Sequence, residues 1–424
     1  MARTNDRPPG ASHGAPDSGP RTVIIGHRPD HYRLFVVAGE HSGDALGAKL
    51  MATLNAQFRS RIHYLGVGGE GMEKCGLHSQ FPMQDVAVMG PMSILPKLPR
   101  IVRRVYRTVD AAIAAEPSAV IIIDSPEFTH PIAKRIRQRR PDIPIINYVS
   151  PTVWAWRPGR ARKMRRYVDH VMALLPFEPE AHERLGGPPC TYVGHPLIER
   201  RAWLDSLDPA PLSALLRLDS NLPVVVVLPG SRRSEVSRLL QPFGEAIRLL
   251  GAKGKALPQV IIPTVPSSRD LVEAGIANWP VKPHLVENED DKYRAFKLAR
   301  AALAASGTVT LELAMCGTPS VVAYRIDAFS GRLGFLLKVP SIVLANLVAG
   351  ENIYPEFVQD ACTPDRLSEA LSLIMEDGEH RSAQLDGLSR LPQRLELPSG
   401  TPSEAAAAIV MRYAAGGRAA AKLP

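Results

Sequence analysis

The sequence predicts an α/β protein of two Rossmann-like domains, each a doubly wound parallel sheet, facing each other across a cleft and followed by C-terminal helices. Three observations carry that prediction. Short, almost purely apolar runs alternate with longer amphipathic segments through most of the chain, the pattern of parallel strands buried on both faces by crossover helices. The alternation breaks once, over Pro196–Pro223, and a fresh apolar run starts at Val224. The length, 424 residues, is too great for one core and suits two or three domains of about 100–200 residues.

In chain order, Met1–Asp30 carries Pro8, Pro9, Pro16 and Pro20 without an apolar segment. It reads as a disordered leader or a misassigned start, not a signal peptide. Arg33–Ala38 (RLFVVA) opens the first domain, placed at 31–200, and a helical pattern follows over Ala45–Ala56. Another, Ile101–Ala115, precedes the strand Ala119–Ile123 (AVIII); Ile143–Val149 and Val171–Leu175 are further strands. The second domain, placed at 205–360, has strands at Pro223–Leu228 (PVVVVL), Val260–Ile262 and Ser320–Tyr324, with helices over Glu235–Leu250 and Asp290–Arg300. From 361 to 424 only helical patterns remain, ending in the Ala-rich Pro402–Ala420.

Composition narrows the function. Cys75, Cys190, Cys316 and Cys362 are scattered, with no CxxC pair and no His at zinc spacing. That argues against a zinc knuckle or a disulfide framework and suits a reducing cytoplasm. No run approaches the ~18 apolar residues of a transmembrane helix, so any membrane contact is peripheral. The net charge of +9 is local: Lys97–Asp169 holds sixteen basic and six acidic residues. Such a patch favours an anionic partner, whether nucleic acid, an acidic membrane or a phosphorylated substrate.

Doubly wound sheets bind ligands beyond the carboxyl ends of their strands, and four such loops stand out. Gly39-Glu40-His41-Ser42-Gly43-Asp44 follows the first strand and opens a helix. Glu40 suits a sugar-hydroxyl acceptor; a capping loop without ligand is the plain alternative. Asp124 ends AVIII before Ser125-Pro126, the position of a general base for a sugar hydroxyl or of a simple helix cap. Gly230-Ser231-Arg232 follows PVVVVL, and Ser306-Gly307-Thr308 precedes a helix bearing Glu312. Helix-end amides and an arginine are suited to phosphates, and Glu312 to ribose hydroxyls. Two such loops in one domain point to a nucleotide diphosphate.

The segment 92–107 interleaves Ile94, Leu95, Leu98, Ile101, Val102 and Val105 with Lys97, Arg100, Arg104 and Arg107. It reads as a basic amphipathic helix for an anionic membrane surface, or as a helix packed on its own sheet. A second basic stretch, Arg157–Arg166, follows Trp154-Ala155-Trp156.

At this level of detail the chain resembles the lipid-A-disaccharide synthase family, inverting glycosyltransferases of the GT-B fold. The motifs are VAGEHSGDALGA at 37–48, GVGGEGM at 66–72, VAVMG at 86–90, IIIDSPEF at 121–128 and YVSPTVWAWR at 148–157. LPFE at 175–178, VGHPL at 193–197, LPGSRRSEV at 228–236, SGTVTLELA at 306–314 and LANLVAGENIYPEFVQ at 344–359 complete the set. The resemblance implies transfer of the sugar of UDP-2,3-diacylglucosamine to 2,3-diacylglucosamine 1-phosphate, forming a β-1,6 disaccharide and UDP without a metal or other cofactor. It implies Asp124 as base and Glu40 as a second catalytic residue, both facing the cleft, with Ser42 and Gly43 binding substrate there. Gly230, Ser231 and Arg232, with the Ser306–Thr308 turn, would hold the UDP phosphates, Glu312 the ribose, and Asn346 part of the donor pocket. It further implies a homodimer joined through the C-terminal helices, on the inner face of the inner membrane. The chain departs from the family pattern at Glu127, at Thr129 and His130, at Pro158-Gly159 and at Ala345. A UDP-sugar epimerase of the same fold and a non-enzymatic anionic-lipid or RNA binder are the competing readings. Because the charge is concentrated around the proposed base and the apolar helix, nucleic acid is not expected as a partner.

Overall fold

The computed structural model describes residues 31–58, 61–86, 98–252, 256–325 and 339–422. The leader, most of the motif at 86–90, and Met92, Ile94, Leu95 and Lys97 of the basic amphipathic segment lie outside the described residues.

Two parallel sheets form the core. The first contains β1 (Tyr32–Ala38), β2 (Ile62–Val67), β3 (Leu77–Ser79), β4 (Ala119–Ile123), β5 (Ile145–Tyr148), β6 (His170–Ala173) and β7 (Cys190–Tyr192). Its order is β3-β2-β1-β4-β5-β6-β7. The second contains β8 (Val224–Leu228), β9 (Gln259–Pro263), β10 (His284–Val286), β11 (Ala301–Ala305), β12 (Ser320–Tyr324) and β13 (Glu356–Val358), ordered β10-β9-β8-β11-β12-β13. In each sheet the order reverses beside the first strand, between β1 and β4 and between β8 and β11. Those are the switch points at which such sheets open a crevice.

The apolar runs are explained by burial on both faces. In β4, Ala119, Ile121 and Ile123 join one cluster with Leu46, Leu50 and Leu54 of the helix His41–Phe58. Val120 and Ile122 join the opposite cluster with Val105, Val109 and Ile132. β8 divides the same way, with Val225 and Val227 on one side and Val226 and Leu228 on the other. The edge strands β3, β7, β10 and β13 are three residues each, too short to leave a periodic signal, and the sequence reading omits them.

After Cys362 the described elements are helical. Pro364–Met375 packs on the second sheet through Leu367, Leu371 and Ile374. Glu379–Leu395 covers its other face through Leu388, Leu391 and Leu395. Pro402–Gly416 then returns to the first sheet, where Ala406, Val410 and Tyr413 lie with Val36 and Ile121. Polar contacts fix the return: Ser403 donates to Glu199 from its amide (2.7 Å) and hydroxyl (2.6 Å), and Arg418 pairs with Asp169 (2.8 Å). The two chain crossings run together, with the Tyr192 hydroxyl donating to Leu395 O at 2.7 Å.

The helix Leu98–Ala114 uses both of its faces. Val105, Thr108, Val109 and Ala112 are buried against the first sheet, so Val105 belongs to the core and not to a membrane face. Leu98 (45%), Val102 (44%) and Tyr106 (50%) are large apolar side chains left exposed. Among the described residues no helix is long and apolar enough to cross a membrane.

Candidate active site

The β8–β11 switch point holds a cavity of about 490 Å³. Gly230, Ser231, Arg232, Ser306, Gly307, Thr308 and Glu312 all line it. The register places Leu228 beside Ala304, so the two loops leave the sheet side by side. Gly230 has φ +114°, and a Cβ there would meet Glu235 at 2.6 Å; only glycine allows both the turn and that approach. Glu235 is buried and accepts from the Arg232 guanidinium at 2.8 Å. Arg232 is therefore aimed along the cavity wall while its side chain stays more than half exposed, open to a second anion. Glu312 is likewise paired, with Lys292 at 2.9 Å. The Ser306 hydroxyl donates to Ile342 O at 2.7 Å, which ties the loop to the chain beyond β12.

Thr264, Asn288, Glu289 and Lys292 also line this cavity. Sequence reasoning missed them, although Thr264 follows β9 and Asn288 follows β10, positions that the strand-end rule covers. Asn346 is not brought there. Its amide is buried, donating to Tyr354 O and accepting from Tyr354 N, both at 2.9 Å. Both polar ends serve the turn before β13, and Asn346 is absent from the cavity lining.

At the β1–β4 switch point, Val37 pairs with Ile122 and Ala38 with Ile123, so the loops bearing Glu40 and Asp124 emerge together. They pack closely: a Cβ on Gly39 would lie 2.9 Å from that of Ser125. The Ser42 hydroxyl donates to Asp124 Oδ2 at 3.3 Å. Glu40 is half-buried and Ser42 exposed, whereas Gly43 is buried against Ala38 and Ile123. Gly43 allows the helix to seat and presents nothing to the cleft. Asp44 does not cap its own helix. Its carboxylate accepts from the amides of Gly69 (2.8 Å), Gly71 (2.9 Å) and Met72 (3.1 Å), tying two of the conspicuous motifs into one unit.

Left-handed backbone gathers at this edge. Asp124 (φ +52°), Ser125 (+44°), Val149 (+73°) and Arg157 (+53°) all follow β4 or β5. Such conformations are costly, above all for a β-branched residue, and a buried network holds the one at Val149. Asn147 donates from Nδ2 to Val149 O at 2.8 Å, so its Oδ1 must accept from His130 Nε2 at 3.1 Å. That fixes the tautomer: His130 Nδ1 accepts from the Tyr167 hydroxyl at 3.1 Å. Burial holds His130 down to about 4, so the ring is neutral.

A second buried group organises the Trp154 loop. Glu178 accepts from Trp154 Nε1 (3.0 Å) and from the amides of Leu174 (3.2 Å) and Leu175 (3.0 Å). Burial nonetheless pushes its carboxyl up to about 7. Leu175, with Trp154 and Phe177 packed beside it, belongs to the cluster that contains Leu228 and Leu311 of the second domain. One apolar cluster thus joins the carboxyl edges of the two sheets.

Comparison with known proteins agrees with this arrangement. A sequence model of the family described as Lipid-A-disaccharide synthetase matches residues 34–410. The chain is 51% identical over 380 residues to the lipid-A-disaccharide synthase of Rhodopseudomonas palustris strain HaA2, covering 89% of this chain and 95% of that protein. The chain belongs to the lipid-A-disaccharide synthase family. The synthase of Bradyrhizobium diazoefficiens is 48% identical over 387 residues, 91% of this chain and 97% of that protein. Outside the synthase family the fold persists. A UDP-GlcNAc 2-epimerase from Neisseria meningitidis, solved with UDP-GlcNAc bound, superposes with TM-score 0.64 at 13% identity, covering 90% of this chain and all of that one. Acinetobacter baumannii MurG superposes at 0.53 and 13%, covering 90% and 99%. These two establish the GT-B arrangement of paired Rossmann-like domains and nothing about the reaction.

Proposed function

We propose that this chain is an inverting glycosyltransferase. It moves the diacylglucosaminyl group of UDP-2,3-diacylglucosamine to the 6-hydroxyl of 2,3-diacylglucosamine 1-phosphate, giving the β-1,6 disaccharide 1-phosphate and UDP. The observation that carries the reading is the pairing of two switch points, a carboxylate at one and a diphosphate-type cavity at the other, in a chain of the synthase family. Asp124 takes the proton of the acceptor hydroxyl as its oxygen attacks the anomeric carbon, and the C–O bond to UDP breaks from the opposite face. Ser42, donating to Asp124, holds the carboxylate in position, and Glu40 faces the sugars. The leaving diphosphate is met by the amides of Gly230, Ser231 and the Ser306–Thr308 turn and by Arg232, which stabilise charge that grows in the transition state. Glu312, with Lys292, takes the ribose end. Asn346 is engaged in the turn before β13 by its two bonds to Tyr354.

The enzyme works on the inner face of the inner membrane, held by the exposed Leu98, Val102 and Tyr106, with Arg103 and Arg107 beside them for anionic headgroups. It acts as a homodimer through its C-terminal helices. Exchange of the segment after Leu395 between partners would keep the Pro402–Gly416 contacts and change only which chain supplies them.

The test is Asp124→Ala, assayed with both lipid substrates and read by mass spectrometry of the disaccharide. Turnover is expected to fall at least ~100-fold, with donor affinity within a few-fold. Near-normal turnover would remove Asp124 as the base. Conversion of the UDP-sugar without an acceptor lipid would instead favour an epimerase.

A further inference from the structure

A second concavity, about 370 Å³, opens beside the Asp124 turn and is separate from the nucleotide-type cavity. Its walls are one flank of the helix Pro126–Arg139 and the segment from Arg157 to Tyr167. Four cationic side chains line it, Lys134, Arg157, Arg160 and Lys163, against a single carboxylate, Glu127. Glu127 pairs with Arg160 at 2.8 Å. Among the described residues Lys134, Arg157 and Lys163 have no carboxylate partner, and Lys134 rests over the Tyr167 ring at 5.1 Å. The floor is rigid: His130 and Tyr167, both buried, belong to the network that pins Val149. The Arg160 and Lys134 charges act on His130 in the same sense as its burial, and the Glu127 carboxylate acts against them.

We propose that this pocket binds the phosphate monoester of the acceptor glycolipid. The inference rests on the function proposed above and adds a subsite to it. Pro126 and Glu127 line the pocket and lie two and three residues after Asp124, so an acceptor whose hydroxyl meets Asp124 has its sugar beside this opening. The phosphate is the acceptor's only charged group. Clustered cations on a rigid wall without enough carboxylates to neutralise them are what a phosphate monoester requires. The donor diphosphate has its own amides and Arg232 on the other sheet. Glu127 works against the incoming anion and holds Arg160 until the phosphate displaces it.

The experiment compares wild type, Lys134→Ala, Lys163→Ala and Glu127→Gln in uncharged detergent micelles. Two acceptors are used, 2,3-diacylglucosamine 1-phosphate and the same lipid without its phosphate. Equilibrium binding of each acceptor is measured separately from turnover. Each lysine variant is expected to weaken binding of the phosphorylated acceptor, and raise its KM, about 10-fold, the lower end for a hydrogen bond to a charged group. Neither should alter the donor KM or the binding of the dephosphorylated acceptor. Glu127→Gln should act in the opposite direction and tighten the phosphorylated acceptor. The proposal is overturned if the lysine variants weaken both acceptors equally, leave both unchanged, or raise the donor KM, the last of which would assign the pocket to the diphosphate. If wild type forms no disaccharide but the phosphate-dependent binding difference persists, the transferase reading fails and the pocket stands. A difference that appears only when anionic phospholipid vesicles replace the micelles assigns the cations to the membrane and also overturns it.

Discussion

Removing the Asp44 carboxylate tests how the first domain positions the edge proposed to carry the base. The side chain is buried and accepts from three amides of another segment, Gly69, Gly71 and Met72. In Asp44→Ala the Met72 amide, itself buried, is left without a partner, which costs ~1–3 kcal/mol. Gly69 and Gly71 are half-buried and can turn to water, so each loses only the net value of a charge-assisted bond, ~1 kcal/mol. The total is ~3–5 kcal/mol. Asp44→Asn retains the oxygen shared by Gly69 and Met72 but sets an NH2 against the Gly71 amide, and should cost ~1–2 kcal/mol. Hydrogen exchange of the β1 and β4 amides across a urea series reads this domain separately from the second. The Ala variant should also lose turnover at an unchanged donor KM, because the helix that carries Ser42 toward Asp124 is no longer anchored at Asp44. A loss below ~1 kcal/mol for Ala, or equal damage from Asn and Ala, would refute the reasoning.

Two further predictions concern burial and the surface. Burial raises the Glu178 carboxyl from 4.5 to about 7, so the folded state favours the neutral form. Its contribution to stability is full below pH ~4.5 and is lost as pH rises to ~7, by up to ~3 kcal/mol. Unfolding of wild type and Glu178→Gln across that range should show a stability difference that changes in this sense and is flat above pH ~7; parallel profiles would refute it. At the surface, Leu98→Ser, Val102→Ser and Tyr106→Ser combined should leave stability unchanged. At ~1 kcal/mol per side chain, partition into anionic liposomes should fall ~100-fold. Unchanged co-sedimentation would show that this helix does not hold the membrane.

The strand ends were readable because each central strand is a run of five or so apolar residues stopped abruptly, AVIII at Asp124 and VVVVL at Pro229. Burial on both faces writes itself as an uninterrupted apolar run, and the topology then places the residue after the run in the crevice. Short edge strands carry no such mark. Nor do partnerships between distant residues: nothing local tells that Glu235 holds Arg232, that Lys292 meets Glu312, or that Asp44 serves a helix start more than twenty positions away. Asn346 shows the opposite limit. A buried amide and a ligand-binding amide look alike in sequence, and only the two bonds to Tyr354 distinguish them. The network of Tyr167, His130, Asn147 and Val149 was invisible for the same reason, since its meaning lies in one residue's left-handed backbone.

The basic patch separates into groups with different physical work. Arg104 lies over Phe81 and pairs with Asp85 at 2.5 Å. Arg137 is half-buried and pairs with the buried Asp169, which also takes Arg418 from beyond the last long helix. These cations hold helices to neighbouring segments of the first domain, and their loss would be read as instability. Arg103 and Arg107 are exposed beside the apolar side chains of Leu98–Ala114, and Lys134, Arg157 and Lys163 surround the pocket near Asp124. A groove for nucleic acid needs its cations in one continuous track. Of these exposed cations, Arg103 and Arg107 lie next to exposed hydrocarbon, and Lys134, Arg157 and Lys163 lie near the carboxylate proposed as base. The lipid acceptor of the proposed reaction, lifted by its chains and oriented by its phosphate, would meet both groups. The placement of these five exposed cations therefore favours a phosphorylated lipid over a polyanion.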